Sequence, residues 1–489
     1  MSLFKSLFKQ TAIYGIATVV PRMFSFFLTP LYTDPAVMDT KRYGEVSFIF
    51  AWLVFFNVVL SYGMETAFFR FYNTDSKKMV MSTSTISLFW SSLLFLAVGL
   101  LGRNFLGNAI DIEPEYITYL VWILVLDALV IIPFSRLRAE GRPLYYSALK
   151  IGNVALNLAL NLFFLIYLPQ WAKEHPGGFM ASIYVRDFQV GYVFVANVLS
   201  SLATFVVLLP HYLRLSWHFD MQLWNRMMRY ALPVMVAGVA FAVNETFDRI
   251  LLKYLLPENI AETEIGAYSA CYKLALFMTL FATAFRMGIE PFFFSHAKNE
   301  NARFTYAAIT KYFVIFGSVI LLSVVVFADL LKFILIRGGE SYFVAMKVVP
   351  LIILANFCLG IYHNLSVWYK LSDKTKMGAY ISIVGAVVTL ALNFALIPMW
   401  SYMGSAVATL AAYGSMMVIS YYFGNKYYPI PYDVKRISLY FFLSIALSAI
   451  SFYVPILRHT YVFGIISLAG FMWLIYRNEK QTLIRFIKK

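Results

Sequence analysis

The chain is short of charge. Only 13% of its 489 residues are Asp, Glu, Lys or Arg, where soluble domains carry roughly 25%. Acids are scarcer than bases: 25 Asp and Glu stand against 40 Lys and Arg. The two cysteines, Cys271 and Cys358, each sit inside an apolar run, which excludes a disulfide framework and a cysteine-based zinc site. There is no P-loop, metal-ligand cluster or nucleophile motif. No connection is long enough to be a domain; one of the longer outer ones, about 169–187, reads PQWAKEHPGGFMASIYVRD. What remains is 61% hydrophobic, with a mean hydropathy of +0.71. That is the composition of a polytopic membrane protein. In a soluble chain the net charge of +15 would suggest nucleic acid. Here the bases fall mostly in short turns, as topology signals and contacts to anionic lipid, and no nucleic-acid partner is expected.

Apolar runs long enough to span a bilayer occur at about 11–33, 44–69, 79–101, 116–135, 146–168, 188–211, 230–252, 265–285, 306–327, 348–369, 377–397, 401–424, 437–454 and 460–476. Such runs must be helices, because a single lipid-exposed segment satisfies its backbone only that way. Lys5 and Lys9 before the first run resemble a signal peptide. The run is too long for that and lacks an A-x-A site, so it reads as a retained first span. Counting Lys and Arg in alternate turns puts both termini on the inner side. The tail RNEKQTLIRFIKK reads equally as an amphipathic surface helix or as a solvated basic segment.

A faint repeat runs through the chain. EGRPLYYSALKIGNVALNLALNLFFLIYLP (140–169) and SDKTKMGAYISIVGAVVTLALNFALIP (372–398) both lead from a basic turn into Ala-Leu-Asn, at an offset of 232. YGEVSF (43–48) echoes IGAYSA (265–270) at an offset of 222. The predicted architecture is all-α, with fourteen transmembrane helices: two six-helix lobes in parallel pseudo-repeat and two further C-terminal helices. The expected divisions are 1–211, 212–430 and 431–489, the last holding the extra pair and the basic tail.

Charges within spans are costly, so they mark sites or buried pairs. Arg22 is the midpoint of the first run, in YGIATVVPRMFSFFLTPLYT, and Lys273 is central to the eighth, in GAYSACYKLALFMTLFATAF. Both are too deep to snorkel easily. The repeat sets them in opposite halves, as candidate walls of one basic cavity for a phosphate-bearing ligand. Glu245, Asp248 and Arg249 share a helical face in FAVNETFDRILL. Arg249 either pairs with Glu245 as packing glue or joins the phosphate-binding set. Asp127 in YLVWILVLDALVIIPF and Glu65 are, with Glu245 and Asp248, candidates for proton or sodium coupling. Asp127 reads equally as a packing partner. His363 in GIYHNLSVWY reads first as a satisfied core residue and second as a proton relay. Arg70, Arg286 and Glu290 lie near the inner surface, as gate candidates or as snorkelling side chains. No cofactor or resident metal is expected.

With these residues in view, TAIYGIATVVPRMFSFFLTPLYT, RYGEVSFIFAW, SYGMETAFFRFYN and RLRAEGRPLYYSALKIGNVALNLALNL resemble the polysaccharide transporter family. Its members are the O-antigen and exopolysaccharide repeat-unit flippases of the bacterial inner membrane, within the superfamily that also holds the lipid II flippases and the multidrug extruders. The resemblance extends over essentially the whole chain. It implies a V-shaped bundle with a central cationic cavity. It also implies a non-enzymatic, alternating-access transfer of undecaprenyl-diphosphate-linked oligosaccharide from inner to outer leaflet. Membrane lipids, a polysaccharide polymerase and chain-length machinery are the implied partners. Arg22 is similar in position to a first-span arginine of the lipid II flippases, and Lys273 to a basic residue on their eighth span. The last two runs are similar to the pair that forms their lipid-tail groove. The competing expectations are a multidrug or other lipid exporter and, behind it, a membrane glycosyl-polymerase or ligase. The exporter would favour an acidic cavity, which Arg22 argues against; the enzyme usually needs a larger outer loop.

Overall fold

The computed structural model describes residues 20, 23, 26–295, 301–372, 374 and 376–487, without the side chains of 290–292, 294–295 and 481–487. Among the described residues there is no strand. Among the described residues, twelve helices are long and apolar enough to cross a membrane: α1 (Thr40–Tyr72), α2 (Lys77–Leu101), α3 (Pro114–Ala139), α4 (Pro143–Glu174), α5 (Gln189–Leu213), α6 (Met221–Leu255), α7 (Glu258–Ile289), α8 (Ala302–Val326), α9 (Glu340–Leu371), α10 (Lys376–Trp400), α11 (Tyr402–Tyr427) and α12 (Val434–Tyr453). They account for the second to thirteenth predicted spans. Most of the first run, 11–33, lies outside the described residues. Most of the fourteenth falls within α13 (Val462–Ile487), which continues as helix into the basic tail as far as Ile487. The chain is a multi-pass membrane protein.

Local sequence explains the boundaries. Asp39 accepts from the Arg42 backbone N–H at 2.8 Å to start α1. Asp220 does the same for α6, accepting from Gln222 and Leu223 at 2.9 Å each. Pro114 and Pro143 occupy the first turns of α3 and α4, where a missing N–H costs nothing. Within α1 the helix breaks at Tyr62 and Gly63, both left-handed with φ of 35° and 72°. A Cβ on Gly63 would stand 2.5 Å from the Ala231 carbonyl oxygen of α6, so glycine is required by both conformation and contact.

The chain clusters into two compact units, Met1–Gly266 and Ala267–Lys489. In the first, α1 packs on α6, α3 on α2 and α5, and α5 on α4. α1 also crosses the first turns of α7 where Gly44 meets Gly266. A Cβ on Gly44 would fall 1.7 Å from the Glu262 carbonyl oxygen, and one on Gly266 would fall 2.0 Å from that of Thr40. In the second unit α11 packs on α10 and α9, and α8 packs on α9, α12 and α13. Glu479 of α13 is buried there, bound by Lys311 of α8 at 2.7 Å and by Arg436 of α12 at 2.9 Å.

The repeat read from the sequence has an atomic counterpart. Asn161 is fully buried, donates Nδ2 to the Asn157 carbonyl at 2.8 Å and accepts from Tyr32 Oη at 2.7 Å. Asn393 is also fully buried, donates to the Thr389 carbonyl at 2.7 Å and accepts from Ser405 Oγ at 2.6 Å. Each asparagine therefore bonds four residues back on its own helix and takes a hydroxyl from another segment. This is how a polar side chain is satisfied where no water reaches.

Candidate functional site

Lys273 lies where α7 departs from α-helical geometry. Residues Lys273–Ala275 form a single 3₁₀ turn between the α-helical stretches Glu258–Tyr272 and Leu276–Ser295. Short 3₁₀ interruptions within long helices often accompany function. The turn's next residues, Leu274 and Ala275, are wholly buried, while Lys273 is half-buried. Arg22 and the side chain of Glu290 lie outside the described residues.

The Glu245, Asp248 and Arg249 face is built differently from a simple Glu245–Arg249 bridge. Asp248 is 2% exposed and takes Arg249 Nη1 at 3.1 Å. Arg249 also donates to the Glu245 backbone carbonyl at 3.2 Å, one turn back. The Glu245 side chain is exposed. A guanidinium tied to a neighbouring buried carboxylate carries little net charge to offer a ligand.

The remaining candidates separate. Glu65 pairs with Arg138 at 2.8 Å, and Arg70 stacks over the Tyr230 ring at 4.3 Å. Asp127 accepts from Ser201 Oγ at 2.9 Å and lies within the field of Lys150, whose ammonium sits over Phe134 at 4.4 Å. Two candidates from different predicted roles come together instead. Arg286 and His363 line one pocket in the second unit with Lys370 and Asn364, walled by Ile289, Phe293, Val367 and Leu371.

Sequence reading missed several ion-pair groups because their partners are remote in the chain. Lys253 binds both Asp111 and Glu262, each at 2.8 Å. Asp329, in the short helix Ala328–Leu335, holds Arg458 at 2.5 Å and Lys332 at 2.7 Å. Burial pushes the Asp329 carboxyl up, but the hydrogen bonds and charges of Arg458 and Lys332 outweigh it and hold the group below the usual carboxylate range. His211 is buried beside Arg136, which also binds Glu140 at 2.6 Å. A histidine at the end of an apolar run gave no signal of its own.

A family model described as "Polysaccharide biosynthesis protein" matches residues 7–295. That is more than half of the chain. The chain belongs to this family. A second family model, MatE, matches residues 255–395. Among solved structures, "Lipid II flippase MurJ, inward closed conformation" superposes with a TM-score of 0.72 at 15% identity, covering 96% of this chain and 99% of that one. An inward-facing multidrug resistance MATE family transporter gives 0.63 at 12% identity, covering 88% and 95%. The MATE multidrug transporter DinF-BH gives 0.61 at 15% identity, covering 86% and 95%. At these identities the likeness establishes the fold. No curated protein matches. The all-helical architecture and the family read from the sequence both hold.

Proposed function

We propose that this protein is a flippase for undecaprenyl-diphosphate-linked oligosaccharide repeat units in the bacterial inner membrane, feeding synthesis of a cell-surface polysaccharide. The reading rests on one conjunction: a chain of the polysaccharide biosynthesis family carries a lysine, Lys273, at a 3₁₀ break midway along a membrane helix. An ammonium at that depth attracts an anionic group more strongly than one at the protein surface does. Lys273 and Arg22 are assigned as the phosphate-handling cations. Arg249, engaged by Asp248, is assigned a supporting role on α6. Both termini face the cytoplasm, the transfer follows alternating access, and no chemical step occurs. Membrane potential assists an outward-moving anion by about 2.3 kcal/mol per charge per 100 mV. Glu65 is committed to Arg138, which leaves Asp127, Glu245 and Asp248 as the first coupling candidates for protons or sodium. Polymerase and chain-length proteins are the downstream partners.

The test is flipping of a labelled undecaprenyl-diphosphate oligosaccharide in proteoliposomes, comparing wild type with Arg22→Ala and Lys273→Ala at matched melting temperatures. Loss of transfer in both well-folded variants supports the assignment; normal transfer in both removes it. The MatE match over residues 255–395 favours one second reading, export of an amphipathic drug. A well-folded wild type that moves a cationic dye and no lipid-linked sugar would establish that reading instead.

A further inference from the structure

A cleft in the first unit opens beside the break in α1. Tyr62, left-handed at that break, carries its hydroxyl to Ser87 Oγ of α2 at 2.8 Å. α2 lines the cleft with Ile86 and Trp90, α6 lines it with Trp224 and Met228, and Phe219 of the turn before α6 closes one end. The space is about 550 Å³, within the about 300–1,000 Å³ of clefts that take small ligands.

The polar groups of the lining bond one another. Ser87 Oγ also accepts from Trp224 Nε1 at 2.9 Å, and Ser91 Oγ donates to Tyr62 Oη at 3.4 Å. What faces the space is therefore aromatic ring, thioether and aliphatic side chain, a surface that water wets poorly and hydrocarbon fills. The closed end is fixed. Ser82 Oγ donates to the His218 carbonyl at 2.6 Å, and the Asp220 backbone N–H donates to Thr83 Oγ1 at 3.2 Å, which ties the turn to α2. The other side is open: Trp90 is 60% exposed, and Leu94, one turn further along the same membrane helix, is 67% exposed.

Depth and charge name the occupant. α1 ends where α2 and α6 begin, and Asp75, in the turn between α1 and α2, binds Arg226 of α6 there at 2.6 Å. At about 1.5 Å per residue, Trp224 and Met228 stand about 5–11 Å from that end, Tyr62 about 15 Å and Ile86–Ser91 about 14–21 Å. One leaflet sets about 15 Å of hydrocarbon beneath its headgroups. The cleft matches that depth. The same end is basic: exposed Arg70, Lys77, Lys78 and Arg229 lie there. Of the acids beside them, Asp75 is engaged by Arg226, and Asp220 caps α6. Such a rim attracts an anionic headgroup.

We infer that this cleft binds one acyl chain of an anionic phospholipid of the bilayer, with the lipid's phosphate at the basic rim. The chain lies against Trp90 and Trp224 and packs on the broken segment of α1, supplying the contacts that the break at Tyr62 and Gly63 leaves unmade. The site lies within the first unit and does not depend on which lipid the protein carries.

The experiment places full-length protein in phosphatidylcholine nanodiscs and adds phosphatidylglycerol brominated on its acyl chains, whose bromines quench tryptophan on contact. Nine tryptophans report in wild type, two of them from the cleft. A bound chain gives a step of quenching that saturates at a low fraction of brominated phosphatidylglycerol, and brominated phosphatidylcholine gives no such step. The step should vanish in the double variant Trp90→Phe with Trp224→Phe and persist in Trp473→Phe, which changes an exposed tryptophan of the second unit. Ile86→Phe with Met228→Phe fills the cleft while keeping it apolar and should remove the step. Lys78→Gln and Arg229→Gln should each raise the half-saturating fraction about fivefold. Thermal melts establish that each variant is folded. Quenching that rises equally and without saturation for both brominated lipids overturns the inference. So does a step undiminished in the folded Ile86→Phe and Met228→Phe variant. Displacement of the brominated lipid by undecaprenyl diphosphate, and not by unlabelled phosphatidylglycerol, would give the cleft to a carried lipid, overturning this assignment while leaving the flippase assignment intact.

Discussion

Glu479 offers the sharpest test of how the C-terminal helices are held. Its carboxylate is 1% exposed and sits between Lys311 at 2.7 Å and Arg436 at 2.9 Å, with the Tyr440 hydroxyl at 3.5 Å. Removing one partner of a buried ion pair costs about 3–5 kcal/mol, because the other charge is left without compensation. Arg436 is 47% exposed and can turn to solvent, so its share falls to under about 1 kcal/mol. Lys311 is only 14% exposed and carries most of the penalty. Glu479→Gln keeps the shape and an acceptor oxygen, which brings the expected loss to about 2–3 kcal/mol. At about 2–4 °C per kcal/mol for a unit of this size, the melting temperature should fall by about 4–12 °C. Thermal unfolding in detergent, followed by tryptophan fluorescence, reads this directly. The double variant Lys311→Met with Glu479→Met removes both charges, and it should recover at least half of the loss. A single variant melting within about 2 °C of wild type would refute the reasoning, since a buried carboxylate with two cationic partners cannot be energetically silent.

Three further outcomes are expected. Asn161→Ala and Asn393→Ala each strand a buried hydroxyl, Tyr32 Oη in one case and Ser405 Oγ in the other, and should lose similar stability, about 1–3 kcal/mol by thermal melt; a large loss in one and none in the other would break the equivalence of the two repeats. Gly44→Val forces side-chain atoms into the Glu262 carbonyl and should lower the melting temperature or the folded yield, with Gly44→Ala intermediate, whereas Gly152→Ala, in open space, should be neutral. Asp329 is held below the usual carboxylate range, so its ion pairs contribute fully above about pH 4 and are lost as pH falls through the folded-state value; Asp329→Asn should lower stability at pH 7 and flatten the acid limb of the stability profile.

The sequence was legible wherever one physical requirement acts on consecutive residues. A bilayer forces each long apolar run into a helix, so the spans were readable from composition and length. The repeat was readable because a basic turn leads into Ala-Leu-Asn twice, placing Asn161 and Asn393 at equivalent positions. Charge partners were not legible. Glu65 finds Arg138 across 73 positions, and Lys311 finds Glu479 across 168. Helical periodicity names the face a charge occupies but not which neighbouring helix supplies its counter-charge. The same limit explains Arg249: its spacing to Glu245 fitted a bridge, but burial of Asp248 beside it gave the guanidinium a nearer partner.

That limit also shows where function is expected in a duplicated fold. Structural demands act on both repeats alike, as the paired asparagines do. A position where the repeats diverge in charge is under no shared structural demand.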